Sequence, residues 1–258
     1  MELALIPPVA HLADTNDLAY QLVLPHMLIH NKAYAKHYMM QGQDGKLLIL
    51  DNGAAEGEQV SLSALMHLAK VYNVSEFALP DIMGEGHKNM QCALESLRFL
   101  VAEEWDFCPV GFVAHGNNVR QIMGYIDKVL SADVHGLVEV IYLPRILVNE
   151  HAFTIRTELC NAIKENYAID VHLFGANQNF PGDILCAARL SEARSVDTSA
   201  AYTYAAAGEL MGPTWIRNRI TRRDDYFDHE LLGEERVLME RNIQLLKEWC
   251  YGTEAPPR

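Results

Sequence analysis

Apolar residues in this chain come in short, near-continuous runs. Between the runs lie longer stretches in which apolar residues recur every three or four positions. The runs are LALIPP (3–8), YQLVLP (20–25), KLLILD (46–51), EFALPD (76–81), PVGFVAH (109–115), GLVEVIYLP (136–144), IDVHLFG (169–175) and ARSVD (193–197). Most of these runs are apolar at successive positions, which predicts parallel strands covered on both faces. The intervening periodicity predicts helices over 61–73, with Ser61 as N-cap, and over 86–104, 118–131, 153–167 and 180–192. Residues 9–19 are too few for a full helix between the first two strands, and 228–250 reads as a long helix after the last one.

Eight strands alternating with helices predict an α/β fold, a (β/α)8 TIM barrel with a C-terminal closing helix. The competing doubly wound sheet loses support because no GxGxxG follows the first strand and no P-loop is present. Residues 1–251 read as a single barrel domain and 252–258 as a flexible tail.

Composition narrows the setting. Half of the 258 residues are hydrophobic, enough for a sizeable core. No apolar run approaches the roughly 18 residues of a membrane span, and the start MELALIPPVAHLAD carries no basic leader region. A soluble intracellular protein with no membrane partner is expected. The five cysteines, at 92, 108, 160, 186 and 250, form no CxxC pair and are odd in number. They read as reduced thiols of a cytoplasm, neither a disulfide framework nor a zinc site. HMLIH spaces His26 and His30 four apart, with His37 further on, but no third ligand is matched to them. They read as structural or surface histidines, so no metal or other cofactor is expected. The formal net charge of −13 speaks against a polyanionic partner. Locally, however, WIRNRITRRDDYFD gathers Arg217, Arg219, Arg222 and Arg223 within seven residues. That cluster reads equally as a phosphate track or as a face neutralised by Asp224 and Asp225.

The chemistry of such a barrel sits at the carboxyl ends of its strands. Here the third strand ends at Asp51, the fourth at Asp81, the fifth at His115 and the eighth at Asp197, while the seventh runs into FGANQN. Each acid alone reads as well as a turn former, a helix cap or, for Asp197, the partner of Arg189 or Arg194. Together they imply crowded like charges in a cleft, which cost stability unless function requires them. Carboxylates without metal-ligand spacing suit displacement at a sugar carbon. One acid attacks the anomeric centre, and a second moves a proton on or off the leaving and entering groups. The small residues Thr198, Ser199, Ala200 and Ala201 leave room beside Asp197, and the turns Asn52-Gly53 and Phe174-Gly175 leave room for a flat base.

The segment HLFGANQNFPGDILCAARLSEARSVDTSAAYTYAA (172–206) resembles the stretch of tRNA-guanine transglycosylases between a base-binding glycine turn and the catalytic aspartate. LILDNGAAEG (48–57) resembles that family's Asp-Ser-Gly-Gly motif, and GFVAHGNNVRQ (111–121) its Gln-Gly segment, in the same order along the chain. The resemblance implies that Asp197 is the nucleophile and Asp51 the acid/base. Asp81 would accept from the base's donor edge, beside Asn52 and Gly53. His115 and Gly116 would stand at the Gln-Gly position. Phe174 and Gly175 would pack on the base, and Tyr202 would be the tyrosine that follows the nucleophile. The chain departs from the family in having no cysteine cluster after the nucleophile, Ala55 where an aromatic stands, and VIYLPRIL (140–147) for a glycine-rich strand end. A compact, zinc-free chain is similar to the phage-type DNA transglycosylases. That likeness implies replacement of guanine in DNA by a 7-deazaguanine such as preQ0, in the host cytoplasm if phage-encoded. Arg217, Arg219, Arg222 and Arg223 would then contact phosphate, and a homodimer is possible. The alternatives are the same exchange on tRNA, a nucleoside or glycoside hydrolase on the same barrel, and a non-catalytic partner subunit.

Overall fold

A computed structural model describes residues 1–147, 155–176, 180–214 and 220–252. The eight apolar runs form eight strands: β1 (Glu2–Leu5), β2 (Tyr20–Val23), β3 (Leu47–Leu50), β4 (Glu76–Ala78), β5 (Val110–Val113), β6 (Val138–Pro144), β7 (Asp170–Phe174) and β8 (Ser195–Thr198). All ladders are parallel, in the order β1-β8-β7-β6-β5-β4-β3-β2. The two ends of that order, β1 and β2, stand side by side at a seam, so the sheet is a nearly closed barrel. Period-two alternation sends one set of side chains to the axis and the other to the surrounding helices. On β4, for example, Phe77 packs edge-on against Trp105, while Glu76 reaches across to Tyr142 of β6.

The helices are α1 (Pro25–His30), α2 (Lys32–Gln43), α3 (Leu62–Tyr72), α4 (Gly86–Ala102), α5 (Val119–Ala132), α6 (Ile155–Tyr167), α7 (Gly182–Leu190), α8 (Ala200–Ala206) and α9 (Gly233–Tyr251). Ser61 caps α3 as the sequence implies, its Oγ accepting from the Ala64 N–H. Asn118 caps α5 in the same way. Between β1 and β2 the chain makes only the 3-10 segment Val9–Thr15, as the short spacing requires. Three helices, the short α1, α2 and α8, escape the periodicity. In α2 only Tyr34, Tyr38, Gln41 and Gly42 are buried, a narrow stripe that a polar segment hides. In α8 nearly every residue is buried, so AAYTYAA has no polar face to set a period.

The long closing helix α9 begins at Gly233 and packs on α7, α8 and β1. Its fully buried Asn242 fixes it there. The side-chain amide donates to the Ala201 and Glu209 carbonyls and accepts from the Met211 N–H. The first two residues of the expected helix 153–167, the tail from 253 onward, and Arg217 and Arg219 lie outside the described residues. No helix among the described residues is long and apolar enough to cross a membrane.

The amino-terminal end of the barrel axis is filled by charge. Arg194, just before β8, donates from Nη1 to Glu76 Oε2 at 2.8 Å and from Nη2 to Oε1 at 2.5 Å. Its guanidinium lies over the Tyr20 ring at 5.3 Å. The Tyr142 hydroxyl donates to Glu76 Oε1 at 2.8 Å. Burial alone draws an arginine's pKa down, but the Glu76 hydrogen bonds and charge outweigh it and hold Arg194 above its ordinary value.

Candidate active site

At the opposite end of the barrel the strand ends enclose a cavity of about 610 Å3. Asp51, Asp81, His115 and Asp197 all line it, so the four strand-end groups singled out in the sequence converge on one mouth. Asn52, Phe174 and Gly175 line it as well. Each acid is almost fully buried: Asp51 is 8% exposed, Asp81 6% and Asp197 3%.

Asp51 follows the last ladder residue of β3. Burial pushes its carboxyl well above the ordinary value, and the nearby charges of Glu56, Asp197 and Asp81 push the same way. Its environment favours the protonated form over the charged one. Asp81 follows β4 and is tied down on both oxygens. Oδ1 accepts from Asn52 Nδ2 at 2.9 Å, and Oδ2 is hydrogen-bonded to His115 Nε2. Asn52 Nδ2 also donates to the Leu79 carbonyl at 2.7 Å. Each Asp81 oxygen keeps a second lone pair for an incoming donor.

Asp197 lies within β8. Its Oδ1 is 3.0 Å from His172 Nε2 and accepts from the Gly175 N–H at 3.0 Å. Gly175 takes a positive φ of 67°, the left-handed conformation that turns its N–H toward the carboxylate. The fully buried Arg156 of α6 holds this turn. Its Nη1 donates to the Phe174 and Gly175 carbonyls at 3.2 and 2.7 Å, and its Nη2 pairs with Asp183 at 3.3 Å. Phe174 rests flat on Tyr142, with ring centroids 4.3 Å apart and planes 6° from parallel. Tyr142 is fully buried, so Phe174 is the aromatic surface that meets the cavity.

Other expected site residues stand elsewhere. Gly53 is off the cavity, where an added Cβ would lie 2.4 Å from the Glu58 carbonyl, so the glycine serves closure of its own turn. Gly116 packs against Ile122 of α5. Tyr202 is fully buried on α8, its ring 6.1 Å from that of His11, because the helix turns it away from the mouth. Of the arginine cluster, Arg222 lines the cavity and pairs with Glu56 at 3.1 Å, its guanidinium also over the rings of Tyr226 and Phe227. Arg223 forms an exposed pair with Asp225 at 2.7 Å. Asp197 pairs with neither Arg189 nor Arg194; the latter is spent on Glu76. His26 packs edge-on against Phe227, and His37 against Tyr38. Among the described residues no group of three or more His, Cys, Asp or Glu is arranged to hold a metal ion.

Sequence reasoning passed over His172, Glu56 and Arg145, of which the last two line the cavity. A signal for His172 was present, since it stands two residues before Phe174 on one strand and so shares its face. Glu56 and Arg145 sit in connecting turns, where no periodicity points. No protein-family model matches the chain, and no curated protein matches it.

The arrangement combines an acid whose protonated form is favoured, a second carboxylate with one oxygen that takes no hydrogen bond from the described residues, an acceptor pair fixed for an incoming donor edge, and a flat apolar surface. Those are the parts of a covalent displacement at a carbon attached to a planar heterocycle.

Proposed function

We propose that this chain is a base-exchange transglycosylase of the tRNA-guanine transglycosylase type. It replaces guanine in DNA with a 7-deazaguanine base such as preQ0 through a covalent Asp197–glycosyl intermediate. The observation that carries the reading is the convergence of Asp51, Asp81 and Asp197 on one cavity, where burial pushes Asp51 toward its protonated form.

The roles follow from the chemistry. A nucleotide turned out of its stack brings its base onto Phe174, with its donor edge toward the remaining lone pairs of Asp81. Asp197 attacks C1′ as the C1′–N9 bond breaks, and Asp51 gives its proton to the departing guanine. The entering base then returns a proton from N9 to Asp51 and attacks C1′, releasing Asp197. Two displacements at one carbon retain its configuration. Turning the nucleotide out costs a few kcal/mol, which contacts to the sugar-phosphate backbone must offset. Arg222, at the rim, is the described arginine best situated for one of them.

The test is to incubate the protein with guanine-containing DNA and labelled preQ0, with tRNA in parallel. Label entering DNA, together with a denaturant-stable protein–DNA adduct lost in Asp197→Asn, supports the reading. Label entering tRNA alone moves the substrate to RNA. Free guanine without incorporation makes the chain a hydrolase, and an unchanged adduct in Asp197→Asn removes Asp197 from its role.

A further inference from the structure

Asp197 does not stand alone on β8. Strands β7 and β8 pair with His172 opposite Ser195, and alternation turns both toward the axis on the side of Phe174 and Asp197. His172 is fully buried and does not line the cavity. Its Nε2 is 3.0 Å from Asp197 Oδ1, and its Nδ1 is 2.7 Å from Ser195 Oγ. The rings of Tyr142 and Phe174 meet it edge-on, at 81° and 82°, and fix the plane of the imidazole.

The direction of these bonds is decided by what each group can do. An ionised carboxylate only accepts, so a neutral imidazole facing an ionised Asp197 carries its proton on Nε2. Nδ1 then offers a lone pair, and the Ser195 hydroxyl donates to it. Ser195 Oγ in turn accepts from Arg194 Nε at 3.3 Å, and Arg194 is held by Glu76. Every member of the row therefore has one orientation. The row ends on Oδ1, which also takes the Gly175 N–H. Oδ2 receives no hydrogen bond from the described residues.

We propose that His172 is the positioning residue of the site: its Nε2–H tautomer ties down Oδ1 of Asp197 and leaves Oδ2 as the oxygen that attacks the sugar. Two donors draw electron density from Oδ1 and stop the carboxylate from rotating. The nucleophile is thereby one defined atom on a fixed vector toward the cavity. This rests on the transglycosylase reading for the identity of the reaction. The pairing of His172 with Asp197 does not.

The experiment has two arms. In the unliganded protein, nitrogen-15 NMR of the histidine ring reads the tautomer of His172, assigned by loss of its signals in His172→Gln. A proton on Nε2 and a bare Nδ1 are expected, and a proton on Nδ1 overturns the proposal whatever the activity. In the second arm, His172→Leu and His172→Gln are compared for the rate of adduct formation on guanine-containing DNA, with circular dichroism to confirm folding. Loss of a hydrogen bond to a charged group predicts that His172→Leu slows adduct formation about ten- to a hundredfold with little change in KM. Glutamine can present its amide N–H near the position of Nε2, and His172→Gln is expected to recover most of that rate. If the two folded variants are equally slow, or neither is slow, the proposal falls. If the wild-type protein forms no adduct while the ring spectrum is as expected, the transglycosylase reading fails and the pairing of His172 with Asp197 stands.

Discussion

Replacing Arg194 by methionine keeps a long, flexible side chain at the foot of the barrel but removes its charge. Glu76, 7% exposed, then loses both of its guanidinium contacts and keeps only the Tyr142 hydroxyl. Water cannot readily replace what is lost at so closed a position. Breaking a buried pair by deleting one partner costs about 3–5 kcal/mol, and the cation over Tyr20 contributes about 0.5–1 kcal/mol more. Arg194 itself retains 17% side-chain exposure, which draws the total toward the lower half of that range. About 3–4 kcal/mol is therefore expected, a fall in Tm on the order of 10 °C for a chain of this length. Urea unfolding of the wild type, Arg194→Met, Glu76→Gln and the double variant closes the cycle. The double variant should recover most of the loss, because a neutral amide needs no counter-charge and can still accept from Tyr142. The reasoning is refuted if Arg194→Met unfolds within about 1 kcal/mol of wild type, a surface-pair value, or if the double variant loses the sum of the singles.

Asp51→Asn should raise stability. The raised carboxyl pKa means the folded state holds a proton that the unfolded chain has released, so the wild type loses stability as pH climbs from the ordinary carboxylate value toward the folded one. The gain from asparagine therefore grows across that window and vanishes in acid, which urea melts at a series of pH values will read. Glu56→Gln removes a negative charge that helps hold the Asp51 proton, so the alkaline fall in adduct formation should move to lower pH; an unmoved limb would exclude Asp51 as the proton donor. Gly111→Ala would set a Cβ 1.9 Å from a Tyr142 ring carbon. Overpacking of about 1–3 kcal/mol is expected, together with a raised KM for the entering base as Phe174 tilts with its partner, and a melt paired with steady-state kinetics checks both.

The barrel was legible because most of the eight strand runs are near-continuously apolar and all are short, and the three acids because each stands where such a run stops. Asp51, Asp81 and Asp197 needed only the rule that chemistry gathers at strand ends. What escaped depends on pairing across the sheet. Nothing in the spacing of Glu76 and Arg194, more than a hundred residues apart, says that they meet on the axis. The pairing of Asp81 with His115 likewise requires the two strand ends to be neighbours in space. Tyr202 stands off the cavity for a different reason. The family resemblance carried it over as the tyrosine after the nucleophile, whereas a helix starting at Ala200 buries the ring away from the cavity. Gly53 was read as clearance for a ligand, but its own turn consumes the space.

The hydrogen-bonded row from Glu76 through Arg194, Ser195 and His172 to Asp197 is anchored in strands or the residue beside one, whereas Glu56, Met83, Arg145 and Arg222 reach the cavity from connecting segments. Foundation and entrance are thus separable parts. Insertions or exchanges in those connections can refit the opening to another guest while Asp197 keeps its setting, and an engineer seeking to change what the cavity admits should begin there.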